Sequence, residues 1–265
     1  MSTLEPFYFG PSEKPLWGCY HEPDTETRRD CAIIVCYPMG HEYIQFHRAC
    51  RQLALLLCNE GYPVLRFDFY GCGDSSGDGE TGRLDQWLAD ISIAMGELRR
   101  RCGSMKICLT GLRLGGTLAM MAGAQRDDID GMVLWDPVVE GRTYLEELKT
   151  QHRHMLEQAH VRLMPDGKPL EVLGFPITDE MLMDLERIDL SAIKYKPANN
   201  ILLIESHQSC GQPSLTAHLR SLNVDLKYRH LPNPEFWTWI EDFSHILVPH
   251  QILRSIVDWI SEVYR

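Results

Sequence analysis

The chain has 265 residues, of which 44% are hydrophobic and 24% charged, and a formal net charge of −11 at pH 7. That length suits one large α/β domain carrying an insertion, and the composition is that of a globular chain able to bury a sizeable core. Its basic residues fall in short runs such as Arg99-Arg100-Arg101, not on the clustered positive face that a phosphate backbone needs, so nucleic acid is not an expected partner.

MSTLEPFYFG at the start has neither a basic opening nor an apolar centre, so no signal peptide is expected. No uninterrupted apolar run approaches the roughly 18 residues of a membrane span. The nine cysteines are odd in number, scattered and without a C-x-x-C pair. Buried free thiols in a reducing cytoplasm follow from that pattern.

In chain order, FYFG, the turn PSEKP and LWGCYHEP read as a β-hairpin, and CAIIVCY as a buried strand followed by the loop PMGHEYIQF. HRACRQLALLLCNEG has helical spacing and a glycine stop at Gly61. PVLRFDFY is another strand, closed by the turn-rich GCGDSSGDGETG. The next helix puts Trp87, Leu88, Ile91, Met95 and Leu98 on one side. KICLTGLRLGGTLAMMAG, at 106–123, is a strand, a glycine-flanked turn and a small-residue helix, and GMVLWDP is a further strand. NNILLIES and VDLKYRHL read as the last strands, with PSLTAHLRSL between them and HQILRSIVDWISEVY as a closing helix. Strands alternating with helices predict a mostly parallel sheet with helices on both faces.

The interval 140–197 interrupts that alternation, and a connection of this length inside an α/β domain points to a lid. The expected organisation is a core of residues 1–139 and 198–265 with a small helical cap at 140–197. His152, His154 and His160 have no carboxylate or cysteine at ligand spacing, so they read as solvated helix histidines and no metal is expected. YGCGDSSGD lacks the G-K-[ST] ending of a phosphate loop. No cofactor is called for.

Four strings, YGCGDSSGD at 70–78, GLRLGG at 111–116, LWDPVVEGRTYL at 134–145 and PEFW at 234–237, occur in this order. Together with the element order they resemble an α/β-hydrolase. They are similar in particular to the bacterial hydrolase-like proteins called exosortase A system-associated hydrolase 2, grouped near the serine aminopeptidase-like hydrolases. The resemblance implies the α/β-hydrolase fold and a nucleophile elbow at 111–115, yet the central residue there is Arg113. Arginine stays protonated at physiological pH and can neither attack an acyl carbon nor act as a base. The family's acid would follow the strand ending at Glu205, where SHQSCGQPS holds no aspartate. Its histidine would stand where Glu235, Phe236 and Trp237 are found, with His245 nearby. The resemblance also implies that Asp74 and Ser75 tie their loop back to the elbow.

Buried at a helix N-terminus, a guanidinium requires an anion. Glu42, Asp74, Asp136 and Glu205 are the carboxylates at strand ends. One reading is an internal ion pair that holds the elbow shut; the other is a site completed by a ligand's carboxylate or phosphate. The backbone of Met39 or Gly40 and of Leu114 is expected to donate to the anion, with His41 on the same loop; Trp237 either walls the pocket or belongs to the core. His47 and Arg48 would decorate the start of the following helix.

Two functions are open. One is an enzyme that binds an acyl or carboxylate-bearing small molecule at Arg113 and works by a non-serine route through Glu42, Asp74 or His245. The other is a pseudohydrolase that binds a ligand, a partner protein or a second copy of itself. A third and weaker reading is an esterase with an off-pattern nucleophile such as Ser206 or Cys36.

Overall fold

The computed structural model describes residues 3–24, 26, 28–103, 105–159, 170–206, 212–232 and 248–265. β1 (Thr3–Phe9) and β2 (Leu16–Glu22) form the opening antiparallel hairpin. β3 (Cys31–Cys36), buried at every position, leads to α1 (Gly40–Asn59) and β4 (Val64–Phe67). α2 (Leu84–Cys102), β5 (Lys106–Leu112), α3 (Leu114–Ala124) and β6 (Gly131–Trp135) follow. Next come α4 (Gly141–Gln158), a small hairpin of β7 (Leu170–Val172) and β8 (Phe175–Ile177), and α5 (Asp179–Glu186). The sheet resumes with β9 (Asn200–Glu205), α6 (Gln212–Ser221) and β10 (Asp225–His230), and α7 (His250–Val263) ends the chain.

The main sheet runs β1-β2-β4-β3-β5-β6-β9-β10. From β4 onward every pairing is parallel; β2 joins β4 antiparallel. β3 has β4 on one side and β5 on the other, so the direction of winding reverses there. Open α/β sheets bind ligands at the carboxyl ends of the strands that flank such a reversal.

Period-2 alternation assigns the two faces. Ala32, Ile34 and Cys36 pack among residues of α2 and α3, while Cys31, Ile33 and Val35 pack among those of α1 and α7. Both faces are covered, which is why the strands read as apolar runs.

One expected loop is a helix. PMGHEYIQF is mostly the start of α1, which begins at Gly40 (φ 58°). Its buried stripe opens with His41, Glu42 and Gln45 before it turns apolar at Phe46 and Ala49. A periodicity read from hydrophobicity cannot see a stripe whose first members are polar. His47 therefore lies in the second turn, stacked on Tyr37 with ring centroids 5.7 Å apart.

The elements between β6 and β9 pack on the α2 side of the sheet. Arg83, just before α2, holds Asp184 of α5 by two bonds of 2.8 and 3.3 Å. The β7–β8 hairpin covers the β3–α1 turn, since a Cβ on Gly40 would lie 3.6 Å from the Phe175 ring. His152 on α4 is not a solvated histidine: its Nδ1 accepts the N–H of Leu173 at 3.1 Å and ties α4 to the hairpin turn. His160 lies outside the described residues.

Candidate functional site

β5 ends at Leu112 and α3 starts at Leu114, so a single residue makes the turn between them. That residue is Arg113, at φ 47° and ψ −123°. A side-chain-bearing residue in this region carries strain of about 1–3 kcal/mol and persists only where its surroundings dictate it. Here the N–H of Arg113 donates to Trp135 O at 3.0 Å, and its carbonyl accepts from Thr117 N at 3.1 Å. Glycines make the closeness feasible. A Cβ on Gly111 would come within 2.5 Å of the Gly115 carbonyl, and one on Gly115 would collide with the carbonyl oxygens of Cys36 and Tyr37.

The Arg113 guanidinium is buried, and two carboxylates meet it. Its Nε donates to Glu42 Oε1 at 2.8 Å and its Nη2 to Glu147 Oε2 at 2.5 Å. The guanidinium carbon lies 5.1 Å from the centre of the Tyr144 ring. The Tyr144 hydroxyl in turn donates to Glu42 Oε2 at 3.0 Å. Tyr144 and Glu147, three residues apart on α4, share a helix face and descend on the turn together.

Desolvation pushes the Glu42 carboxyl up, against the charge and hydrogen bond of Arg113 and the bond from Tyr144. Both oxygens accept from donors, so the geometry holds the ionised form. For Arg113, burial opposes the charge, but Glu42 and Glu147 outweigh it and keep the guanidinium firmly protonated. A bond to a buried charge contributes about 1.5–3 kcal/mol. Tyr144→Phe is therefore expected to lower stability by about 2 kcal/mol, read by chemical denaturation at pH 7.

The space left above Arg113 is a dent of about 10 Å³ lined by Pro137, Val138, Val139, Tyr144 and Glu147 among others. That is room for about one water.

Of the carboxylates expected near Arg113, Glu42 arrives and Glu147 was not foreseen. The remaining three lie elsewhere. Asp136 (φ 43°), fully buried, accepts from Ser206 N at 2.8 Å and from the Ser206 hydroxyl. Glu205 accepts from the Tyr228 hydroxyl on the neighbouring strand. Asp74 is exposed, and its backbone N–H donates to Asp68 Oδ2 at 3.0 Å. Its loop is tied to β2 and to the end of β4, not to the elbow: Ser75 Oγ donates to Asp68 O at 2.6 Å and accepts from Trp17 N at 2.8 Å.

Met39 (φ −101°, ψ 165°) is the extended residue before α1, and Leu114 is the first residue of α3. The two turns are neighbours because β3 and β5 pair up to Cys36↔Gly111. His41 is buried, and burial pushes its imidazole down to about 4, so it is neutral at pH 7. His245 and Trp237 lie outside the described residues.

The off-pattern nucleophiles are poorly placed. Ser206 is buried, with its hydroxyl given to Asp136 while it accepts from Trp135 Nε1 at 3.0 Å. Burial in the sheet raises the Cys36 thiol well above its ordinary value. Among the described residues, no group of three or more His, Cys, Asp or Glu could hold a metal, and no helix is long and apolar enough to cross a membrane.

The fold and the turn at the carboxyl end of β5 define an α/β-hydrolase, with a mostly parallel central sheet between helices. Within that class the chain belongs to the family described as serine aminopeptidase, S33, whose model matches residues 30–207.

A thermostable monoacylglycerol lipase of Bacillus sp. (strain H-257) is 31% identical over 93 residues, covering 35% of this chain and 36% of the lipase. The match thus spans little more than a third of that relative. Among solved structures, Est1E from Butyrivibrio proteoclasticus with ferulic acid bound has a TM-score of 0.70 at 17% identity, over 97% of this chain and 98% of the other. A Pyrococcus furiosus esterase has a TM-score of 0.65 at 14% identity, over 98% and 91%. A proline iminopeptidase of Mycobacterium smegmatis has a TM-score of 0.66 at 11% identity, over 97% and 98%. At these identities the likeness is one of fold.

Proposed function

We propose that this α/β-hydrolase binds a small molecule bearing an acyl or carboxylate group at the carboxyl end of its sheet, and that Arg113 stands where relatives carry a serine nucleophile. One observation carries the reading. The residue at the sharp β5–α3 turn offers a planar, permanently charged fork and no oxygen or sulfur that could attack. Such a fork matches a carboxylate. The backbone of Met39 or Gly40 and of Leu114 flanks it as N–H donors, and residues 140–197 form the cap.

Glu42 serves the cation and is not a base, because both its oxygens are taken by donors. Any turnover would use a water activated by another group, His245 being the candidate. The eight described cysteines are free thiols, which fits a reducing compartment, and we place the protein in the cytoplasm.

The test compares wild type with an Arg113→Met/Glu42→Gln double variant, which removes both charges together and keeps the fold. Expected is no labelling of either protein by a fluorophosphonate probe, and a rise in melting temperature with butyrate or benzoate in wild type only. Labelling and aryl-ester turnover that persist in the double variant would reveal an ordinary nucleophile elsewhere. A ligand-induced shift without turnover is the result of a ligand-binding pseudohydrolase, and the absence of any shift in wild type would overturn the anion site.

A further inference from the structure

The carboxylates on Arg113 are not equivalent. Glu42 is sealed, with its side chain 6% exposed and both oxygens accepting, one from Arg113 and one from Tyr144. Glu147 is 34% exposed and meets Nη2 from the solvent side. We infer that Glu147 occupies the seat of the ligand's carboxylate: an incoming monocarboxylate displaces it from Arg113, and Glu147 turns out into water while Glu42 stays. This rests on the reading of Arg113 as a carboxylate receptor.

Charge favours this exchange over any other. Replacing Glu147 by a ligand carboxylate leaves the number of charges around Arg113 unchanged and strands no buried ion. Displacing Glu42 would instead strand its own buried carboxylate away from Arg113 and Tyr144 in a dry site. Movement favours it as well, since a third of the Glu147 side chain already faces solvent and can leave by its own torsions.

Space then limits the ligand. The dent beside Glu147 is about 10 Å³, too small for a carboxylate until Glu147 goes. The vacated volume is lined by Pro137, Val138 and Val139 together with Glu140 and Thr143. The rest of a ligand would therefore extend outward from the turn, with only its carboxylate seated inside. A second carboxylate would face Glu140 and the released Glu147, so dicarboxylates are disfavoured.

Isothermal titration of sodium butyrate and sodium benzoate into wild type, Glu147→Ala and Glu147→Gln tests the assignment, with circular dichroism confirming that each variant is folded. Butyramide serves as the neutral control and succinate as the dicarboxylate. Expected is a Kd at least tenfold lower for butyrate and benzoate in Glu147→Ala than in wild type, an intermediate value in Glu147→Gln, no gain for butyramide, and weaker binding of succinate. Equal Kd values in wild type and Glu147→Ala would overturn the displacement while leaving an anion site at Arg113. Absence of carboxylate binding in wild type and in both variants would remove the receptor reading itself, and the displacement with it.

Discussion

Arg113→Met alone is expected to destabilise the protein by about 3–5 kcal/mol, because Glu42 stays behind as a buried carboxylate whose cation has gone. At roughly 2–4 °C per kcal/mol for a chain of this size, the melting temperature should fall by about 10 °C. Adding Glu42→Gln should restore most of the loss, since a neutral amide can accept from Tyr144 without a charge to desolvate. The single variant also acquires a pH dependence of known sign. Burial already raises the folded-state pKa of Glu42, and without Arg113 it lies above its unfolded value. The folded state then binds the proton more readily, so the deficit is smallest at low pH and grows as pH rises through that folded pKa. Thermal melts of the three proteins from pH 4 to 8 measure this. A single variant as stable as wild type at every pH would mean that Glu42 is neutral in the folded protein.

Gly115→Ala is expected to cost about 3 kcal/mol or more. Its Cβ would meet the backbone carbonyls of Cys36 and Tyr37, and a strand inside a paired sheet cannot give way as a side-chain tip can. The effect should reach function, since moving α3 off β3 also moves Arg113 relative to Glu42 on α1. Chemical denaturation reads the stability and butyrate titration the site. Gly96→Ala is the control: its Cβ would meet nothing within 4 Å, and α2 should be unchanged or slightly stabilised.

The site was only half legible in the amino-acid order. GLRLGG announces a turn of close backbone approach, and burial of an arginine there requires an anion, which is enough to nominate Glu42 among a few carboxylates. Nothing local nominates Glu147. It lies 34 residues along the chain from Arg113, and only the docking of α4 over the turn brings it in. Its one trace is the spacing Tyr144-x-x-Glu147, which puts both side chains on one helix face without saying what that face covers. Asp136, Asp74 and Glu205 were equally good nominees by position; Asp136 is claimed by Ser206 and Glu205 by Tyr228, while Asp74 stays exposed on a loop whose backbone N–H is held by Asp68.

Local patterning by itself determined the alternation of strand and helix, the covered parallel sheet and the presence of a guanidinium at the tightest turn, because apolar period and glycine placement act over a few neighbouring residues. The tertiary structure alone decided which carboxylates reach that guanidinium, how little room stands above it, and that α1 begins on a buried polar stripe. Those outcomes depend on how α1, α4 and the turn after β5 pack together, and packing between distant segments leaves no periodic signal in the chain.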